Sequence, residues 1–177
     1  MKVLLDVDGV LANFIKGAYE LHNKPDPYAK EENLGSYEIQ DLLNIHGRAF
    51  WDLMGETFWA NLDLMPNALE ILEILESQYG SHNICLLTSP VKTPGCLRGK
   101  MRWIEQHLPE YSRRFLIGPA KEFCAHQNSI LFDDFHRNIE KFDHAGGNTF
   151  LIPAPWNAKH QETPVLALLN FLGGINV

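Results

Sequence analysis

Two carboxylates, Asp6 and Asp8, close an apolar run, Val3-Leu4-Leu5, and Gly9 follows them. No other feature restricts the possible folds of this chain as much. A strand alternates its faces, so equivalent side chains recur every second residue. A turn beginning at Gly9 then lets Asp6 and Asp8 reach one point. Like charges held that close are costly unless a cation or a shared proton offsets them. Hard divalent cations take oxygen ligands, and Mg²⁺ is usually held by one or two carboxylates plus substrate phosphate. Taken alone, the same residues also suit a surface turn after an edge strand, where Asp and Gly are common. The rest of the chain decides between the two.

Residues 2–7 read as a first strand whose nearly continuous apolar character suits a parallel strand covered on both faces. Helical spacing follows over 11–22, through Leu11, Phe14, Ile15 and Ala18. After a Pro-containing break at 24–27 and a polar stretch to Ser36, residues 38–54 read as one or two short helices and 58–62 as a connection. Pro66 suits the first turn of a helix that Gly80 ends. Further strands are expected at 84–87, 115–117, 129–132 and 149–152, and helices at about 97–107, 120–126 and 136–145. Thr163 is expected to cap a last helix with Pro164 at its first position. Strands alternating with helices predict an α/β, Rossmann-like parallel sheet flanked by helices. Residues 14–65 break that rhythm and show no strand pattern. They are expected to form a small helical cap inserted after strand one, leaving 1–13 and 66–177 as the catalytic core.

At 177 residues the chain suits one domain with a small insertion, and its 45% apolar share can build a core. A net charge of −7 argues against a duplex nucleic-acid binder, which needs a basic footprint. No segment approaches the ~20 apolar residues of a membrane span, and Asp6 and Asp8 interrupt the first apolar run too early for a signal peptide. Cys85, Cys96 and Cys124 stand apart without Cys-x-x-Cys spacing, which fits a reduced, cytoplasmic protein. The eight histidines are scattered, so zinc is not expected.

Ligands of open parallel sheets bind outside the carboxyl ends of the strands. Polar groups stand at or beyond four such ends: Asp6 and Asp8, then Thr88 and Ser89, then Lys121, then Asp133 and Asp134. Each has a plain alternative: Thr88-Ser89-Pro90 as a turn, Lys121 as a solvated lysine, Asp133-Asp134 as a helix cap. Together they are far more specific. Arg98, Lys100, Arg102, Arg113 and Arg114 form a local basic cluster that reads as a solvated helix face, while Phe50, Trp51, Trp103 and Leu108 read as packing residues.

The order Asp-x-Asp-Gly-Val, Thr/Ser, Lys, Asp-Asp resembles that of the haloacid dehalogenase superfamily of phosphohydrolases. The closer resemblance is to the 5′(3′)-deoxyribonucleotidases. It rests on 6–14, on Leu64-Met65-Pro66-Asn67-Ala68-Leu69, on Thr88-Ser89-Pro90 with Cys96, Lys100 and 103–108, and on Leu131-Phe132-Asp133-Asp134. It covers 1–22 and 58 to about 135; where the family carries Arg-Asp before the lysine, this chain has Pro119-Ala120.

The resemblance implies a Mg²⁺-dependent phosphatase of nucleoside monophosphates. Asp6 would be the nucleophile that forms an aspartyl-phosphate, and Asp8 the acid and base, its backbone carbonyl also on the metal. Thr88 and Ser89 would donate to phosphoryl oxygens, and Lys121 would supply fixed positive charge. Asp134 would be a direct metal ligand, with Asp133 behind it. Phe14 matches a base-pocket aromatic, and Trp59 lies where that branch also places one. The expected partner is a small nucleotide, with a homodimer as one expected assembly. Other readings are a phosphatase of another small ester or of a polynucleotide end, a receiver-type signalling domain, and a degenerate binding module. A receiver places its acidic pair on the first strand and its phosphorylated Asp on a later one, whereas here the Asp-Asp pair comes last.

Overall fold

The computed structural model describes residues 1–175. Its strands are β1 (Lys2–Leu5), β2 (Ile84–Thr88), β3 (Phe115–Ile117), β4 (Ser129–Asp133) and β5 (Asn148–Leu151). The α-helices among the described residues are α1 (Phe14–Leu21), α2 (Ile39–Leu43), α3 (Arg48–Trp51), α4 (Glu56–Ala60), α5 (Ala68–Tyr79), α6 (Cys96–His107), α7 (His136–His144) and α8 (Pro164–Ile175). All strand pairs are parallel, in the order β3-β2-β1-β4-β5.

Strand alternation builds two cores. Val3, Leu5, Ile84, Leu86, Ile130 and Phe132 join the larger apolar cluster. Leu4, Leu87 and Leu131 face the other way and meet Phe142 of α7. Burial on both faces explains why these strands read as nearly continuous apolar runs. Helix α7 packs against β4 and β5, and α5 against α8.

Several local expectations are corrected. Helix α1 begins at Phe14 rather than Leu11, because the carbonyl of Val7 accepts from the N–H groups of Val10, Leu11 and Ala12 in a tight turn. The Asn13 side chain then caps the helix through Lys16 N at 3.1 Å. Residues 58–62 are not a plain connection, since Phe58, Trp59 and Ala60 belong to α4. So short a helix is unstable alone; burial of Trp59 and Ala60 and packing against α6 hold it. The short helix expected at 120–126 is a 3₁₀ turn over Lys121–Cys124. The stretch before Ser36 folds as two 3₁₀ turns, Pro27–Ala29 and Glu31–Asn33.

Between residues 14 and 65 the described chain contains helices and 3₁₀ turns but no strand. Its two ends are clamped together by Asn13 N to Asp63 O at 2.7 Å and Met65 N to Leu11 O at 2.8 Å. Ile15, Phe50, Met54 and Trp59 share the larger apolar cluster with Leu5 and Leu86. No described helix is long and apolar enough to cross a membrane.

The order β3-β2-β1-β4-β5 places the site. From β1 the chain adds strands in one direction, and from β4 in the other, so the crevice lies between the carboxyl ends of β1 and β4. The register pairs Leu5 with Phe132 and carries Asp6 and Asp133 to that end side by side. Leu5 is fully buried on the central strand. Leu5→Ala is therefore expected to lower unfolding stability by about 2–5 kcal/mol in urea denaturation. A loss below about 1 kcal/mol would contradict this central packing.

Candidate active site

Asp6, Asp133 and Asp134 are buried, and one oxygen of each lies within 4.8 Å of those of the other two. Lys121, 2% exposed, stands between Asp6 and Asp133, with Nζ 2.7 Å from an oxygen of each. Burial works against its charge, but Asp6 and Asp133 outweigh that and hold the ammonium above the usual lysine range. Asp6 Oδ1 takes Lys121 and the N–H of Val7. Asp133 is saturated: its oxygens accept from Lys121, from Phe135 N at 2.9 Å and from Asn138 Nδ2 at 3.0 and 3.1 Å.

Asp134 is different. Trp156 Nε1 donates to its Oδ2, while its Oδ1 is buried without a hydrogen-bond partner among the described residues. Such an atom is costly unless something satisfies it. Burial first, then Asp133 beside it, pushes the Asp134 carboxyl up to about 7, and burial with Asp133 also holds Asp6 well above the carboxylate range. Gly9 makes the approach possible. Its φ is +82°, and a Cβ there would overlap the Asp134 carboxylate. An orphaned carboxylate oxygen beside Asp6 fits a hard divalent cation.

Asp8 leaves this cluster. Its Oδ2 accepts from Lys100 Nζ and from Thr88 Oγ1 at 3.2 Å, and Lys100 also donates to Thr88 Oγ1 at 3.1 Å. Thr88 is fully buried and its hydroxyl is committed there. Ser89 is the residue of that pair that lines the cavity.

The cavity, about 220 Å³, is lined by Asp6, Asp8 and Lys121 and by the rings of Phe14, Tyr37, Trp51, Trp59 and Phe135, with Ser89 and Asn138 beside them. Tyr37 stacks on Phe135 at 4.1 Å. Phe14 lies parallel to Trp59 at 5.4 Å and to Trp51 at 6.1 Å. Trp59 is 2% exposed, and its Nε1 donates to Met54 O at 2.9 Å. Phe14 and Trp59 thus stack as one wall, with no room for a third ring between them. Phe58 packs edge-on against both.

Sequence reasoning missed several residues of this site. Lys100 is not on a solvated face: it is 2% exposed, while Arg98 and Arg102 of the same helix reach out to Glu56. The signal was available, because Lys100 falls at helical spacing from Cys96, Trp103 and Ile104, the buried stripe of α6. Trp156 and Asn157 follow β5, whose carboxyl end belongs to the same edge of the sheet. Asn157 fixes that loop by donating to Asp134 O and Ile152 O at 2.9 Å each. Asn138, Tyr37 and Trp51 enter the site with no motif to announce them.

Over residues 1–165 the chain matches the family described as 5′ nucleotidase, deoxy (Pyrimidine), cytosolic type C protein. It is 26% identical over 167 residues to a Staphylococcus epidermidis protein named "Putative 5′(3′)-deoxyribonucleotidase", covering 91% of this chain and 87% of that one. It is 25% identical over 144 residues to the human cytosolic-type 5′(3′)-deoxyribonucleotidase, covering 76% and 70%. Among solved structures it resembles CbbY from Rhodobacter sphaeroides in complex with phosphate. The TM-score there is 0.51 at 14% identity, over 92% of this chain and 89% of that one, which is a likeness of fold.

The raised carboxyls have a thermodynamic consequence. Between the ordinary Asp value of 3.8 and about 7, the folded chain keeps a proton on Asp134 that the unfolded chain has released. Stability contributed there is present at low pH and is lost as pH rises through that window. Metal-free protein is therefore expected to melt at a lower temperature near about pH 8 than near about pH 5, with saturating Mg²⁺ abolishing the loss. Calorimetric melting checks this. A metal-free Tm that rises over the interval, or one indifferent to Mg²⁺, would contradict the charge arrangement.

Proposed function

We propose that this chain, which belongs to the family of cytosolic type C 5′ nucleotidases (deoxy, pyrimidine), hydrolyses nucleoside monophosphates through an aspartyl-phosphate on Asp6. Membership makes it a hydrolase of phosphate monoesters. The finer reading is supported above all by one observation: a carboxylate with a lysine beside it lies at the floor of a cavity walled by aromatic rings. The floor suits a phosphate ester, and the rings suit a nucleobase, whose stacking is worth about 1–3 kcal/mol.

The steps follow from what each atom has free. Asp6 Oδ1 is occupied by Lys121 and Val7 N, which leaves Oδ2 to attack phosphorus. The ester P–O bond breaks, and the leaving alkoxide takes a proton from Asp8. A water then gives a proton back to Asp8 and attacks the same phosphorus. The bond to Asp6 breaks and inorganic phosphate leaves. Ser89 and Lys121 line the cavity and donate to the phosphoryl oxygens as charge develops. Thr88 serves the same reaction through Asp8, to which its hydroxyl is bound. Asp6 and Asp134 would hold Mg²⁺, with the Asp8 carbonyl a third candidate and Asp133 acting from behind. A bound Mg²⁺ supplies charge neutralisation for an anionic substrate.

Residues 14–65 act in this reading as the cap that selects the substrate, since Phe14, Tyr37 and Trp51 come from it. Deoxyribonucleotides lead the expected substrates and a cytoplasmic location is expected, on the strength of the relatives' names.

The test is phosphate release from a panel of nucleoside monophosphates and sugar phosphates, with and without Mg²⁺. Asp6→Asn is expected to abolish release and keep the fold, because an amide cannot attack phosphorus. A folded variant that retains more than a few per cent of activity would refute the assignment. Phe14→Ala is expected to lower kcat/KM for nucleotides roughly tenfold to hundredfold and to affect a sugar phosphate less. Equal losses on both would reduce the aromatic wall to packing.

A further inference from the structure

Lys100 is a buried cation outside the carboxylate cluster, and its surroundings are unusual. Its ammonium touches the Asp8 carboxylate, donates to Thr88 Oγ1 at 3.1 Å and stands 4.5 Å from the centroid of the Trp59 ring. A buried lysine needs such partners, because desolvation of the charge is expensive. Two glycines seat it there, Gly95 just before α6 and Gly99 within it. Gly95 has φ +85°, and a Cβ on it would come 2.7 Å from Glu56 N. A Cβ on Gly99 would come 2.5 Å from Trp59 Cβ and 2.6 Å from Glu56 O. The start of α6 therefore lies close against Glu56 and Trp59 of α4, with no side chain of its own at these two positions, and Lys100 follows directly on that seam.

We propose that Lys100 is a positioning residue that aims Asp8, on the premise that the chain is the aspartyl-phosphate phosphatase described above. Lys100 and Thr88 both bind Oδ2 of Asp8, and no described residue binds its Oδ1. Asp8 lines the cavity. Fixing Oδ2 therefore fixes Oδ1 as the oxygen that serves the substrate. The two lysines divide the motif between them, Lys121 on the nucleophile and Lys100 on the acid and base. The same ammonium faces Trp59, which stacks on Phe14 of the cavity wall. Contact thus runs without a break from the aromatic wall to Asp8.

The consequence falls mainly on the second half of the reaction. With para-nitrophenyl phosphate the leaving phenolate needs no proton, so Asp6 takes the phosphoryl group whether or not Asp8 is well aimed. Water attack, in which a proton passes from water to Asp8 and the bond from phosphorus to Asp6 breaks, depends on that aim. In Lys100→Met, the first turnover should release about one nitrophenol per site in a burst, followed by a slow steady state. A mis-aimed group costs about 10–100-fold, so kcat should fall by about that factor, and KM should fall with it because the phosphoenzyme accumulates, leaving kcat/KM nearly unchanged. Mg²⁺ affinity by calorimetry should hold. In Lys100→Ala, added ethylammonium should recover part of kcat.

Stopped-flow release of nitrophenol, read beside steady-state kcat and KM, decides the matter. A Lys100→Met enzyme with wild-type kcat overturns the role of Lys100 while leaving the phosphatase reading intact. So does one whose loss appears wholly as a raised KM with no burst, or an alanine variant that amines do not rescue. A wild type that releases no phosphate overturns the phosphatase reading and this one with it. If the methionine variant does not fold, Lys100→Gln takes its place in the same comparison.

Discussion

Negative charge concentrated at the end of two neighbouring strands is the constraint on which the rest of this structure depends. Asp6, Asp8, Asp133 and Asp134 converge there, and the cluster of Asp6, Asp133 and Asp134 is withdrawn from water. Two buried lysines answer them, Lys121 between Asp6 and Asp133 and Lys100 on Asp8. With every group ionised, four carboxylates face two ammonium groups, and the surplus equals the charge of one divalent cation. Burial first, then the neighbouring Asp133, pushes Asp6 and Asp134 upward, which favours protonation as a partial answer to that surplus without metal. The orphaned Oδ1 of Asp134 is the same imbalance seen as a missing hydrogen bond.

Much of the surrounding architecture serves to hold that charge in place. The parallel register brings β1 and β4 to the crevice together, and Gly9 leaves room for the Asp134 carboxylate. The loop after β5 folds back so that Trp156 and Asn157 can bind Asp134. On the other side, α4 and α6 meet through two glycines and seat Lys100 under Asp8 and Trp59. The aromatic rings that would receive a base are therefore continuous, through Trp59, with the residues that would move the proton.

Legibility in the sequence followed the reach of the interactions. Strands buried on both faces announce themselves as apolar runs, and Asp6, Asp8, Thr88, Lys121 and Asp134 stand at their ends, so the fold and the floor of the site could be read. Boundaries set by a single carbonyl, such as Val7 O collecting three N–H groups, could not. Helix α4 exists through contact with α6, and local propensity does not report that. Lys100 was misread because charge in a short run suggests solvent. Its position on the apolar stripe of α6 was the better guide. Trp59 has the right residue type for a base wall, but its packing on Phe14 is a tertiary fact. Trp156 acts on a side chain distant in sequence, and Asn138, though near Asp133 in the chain, carries no local mark.

In the proposed reaction the crowded carboxylates leave Asp6 as the one that takes the phosphoryl group. The most direct test is to mix the protein with a nucleoside monophosphate and Mg²⁺, quench in acid during turnover, digest, and locate the phosphoryl group by mass spectrometry. The phosphoryl group is expected on the peptide that carries Asp6, and is expected to disappear when substrate is exhausted before the quench. A phosphoryl group on another residue, or none on that peptide while phosphate is released at the full rate and acyl phosphate standards survive the quench, would contradict that assignment.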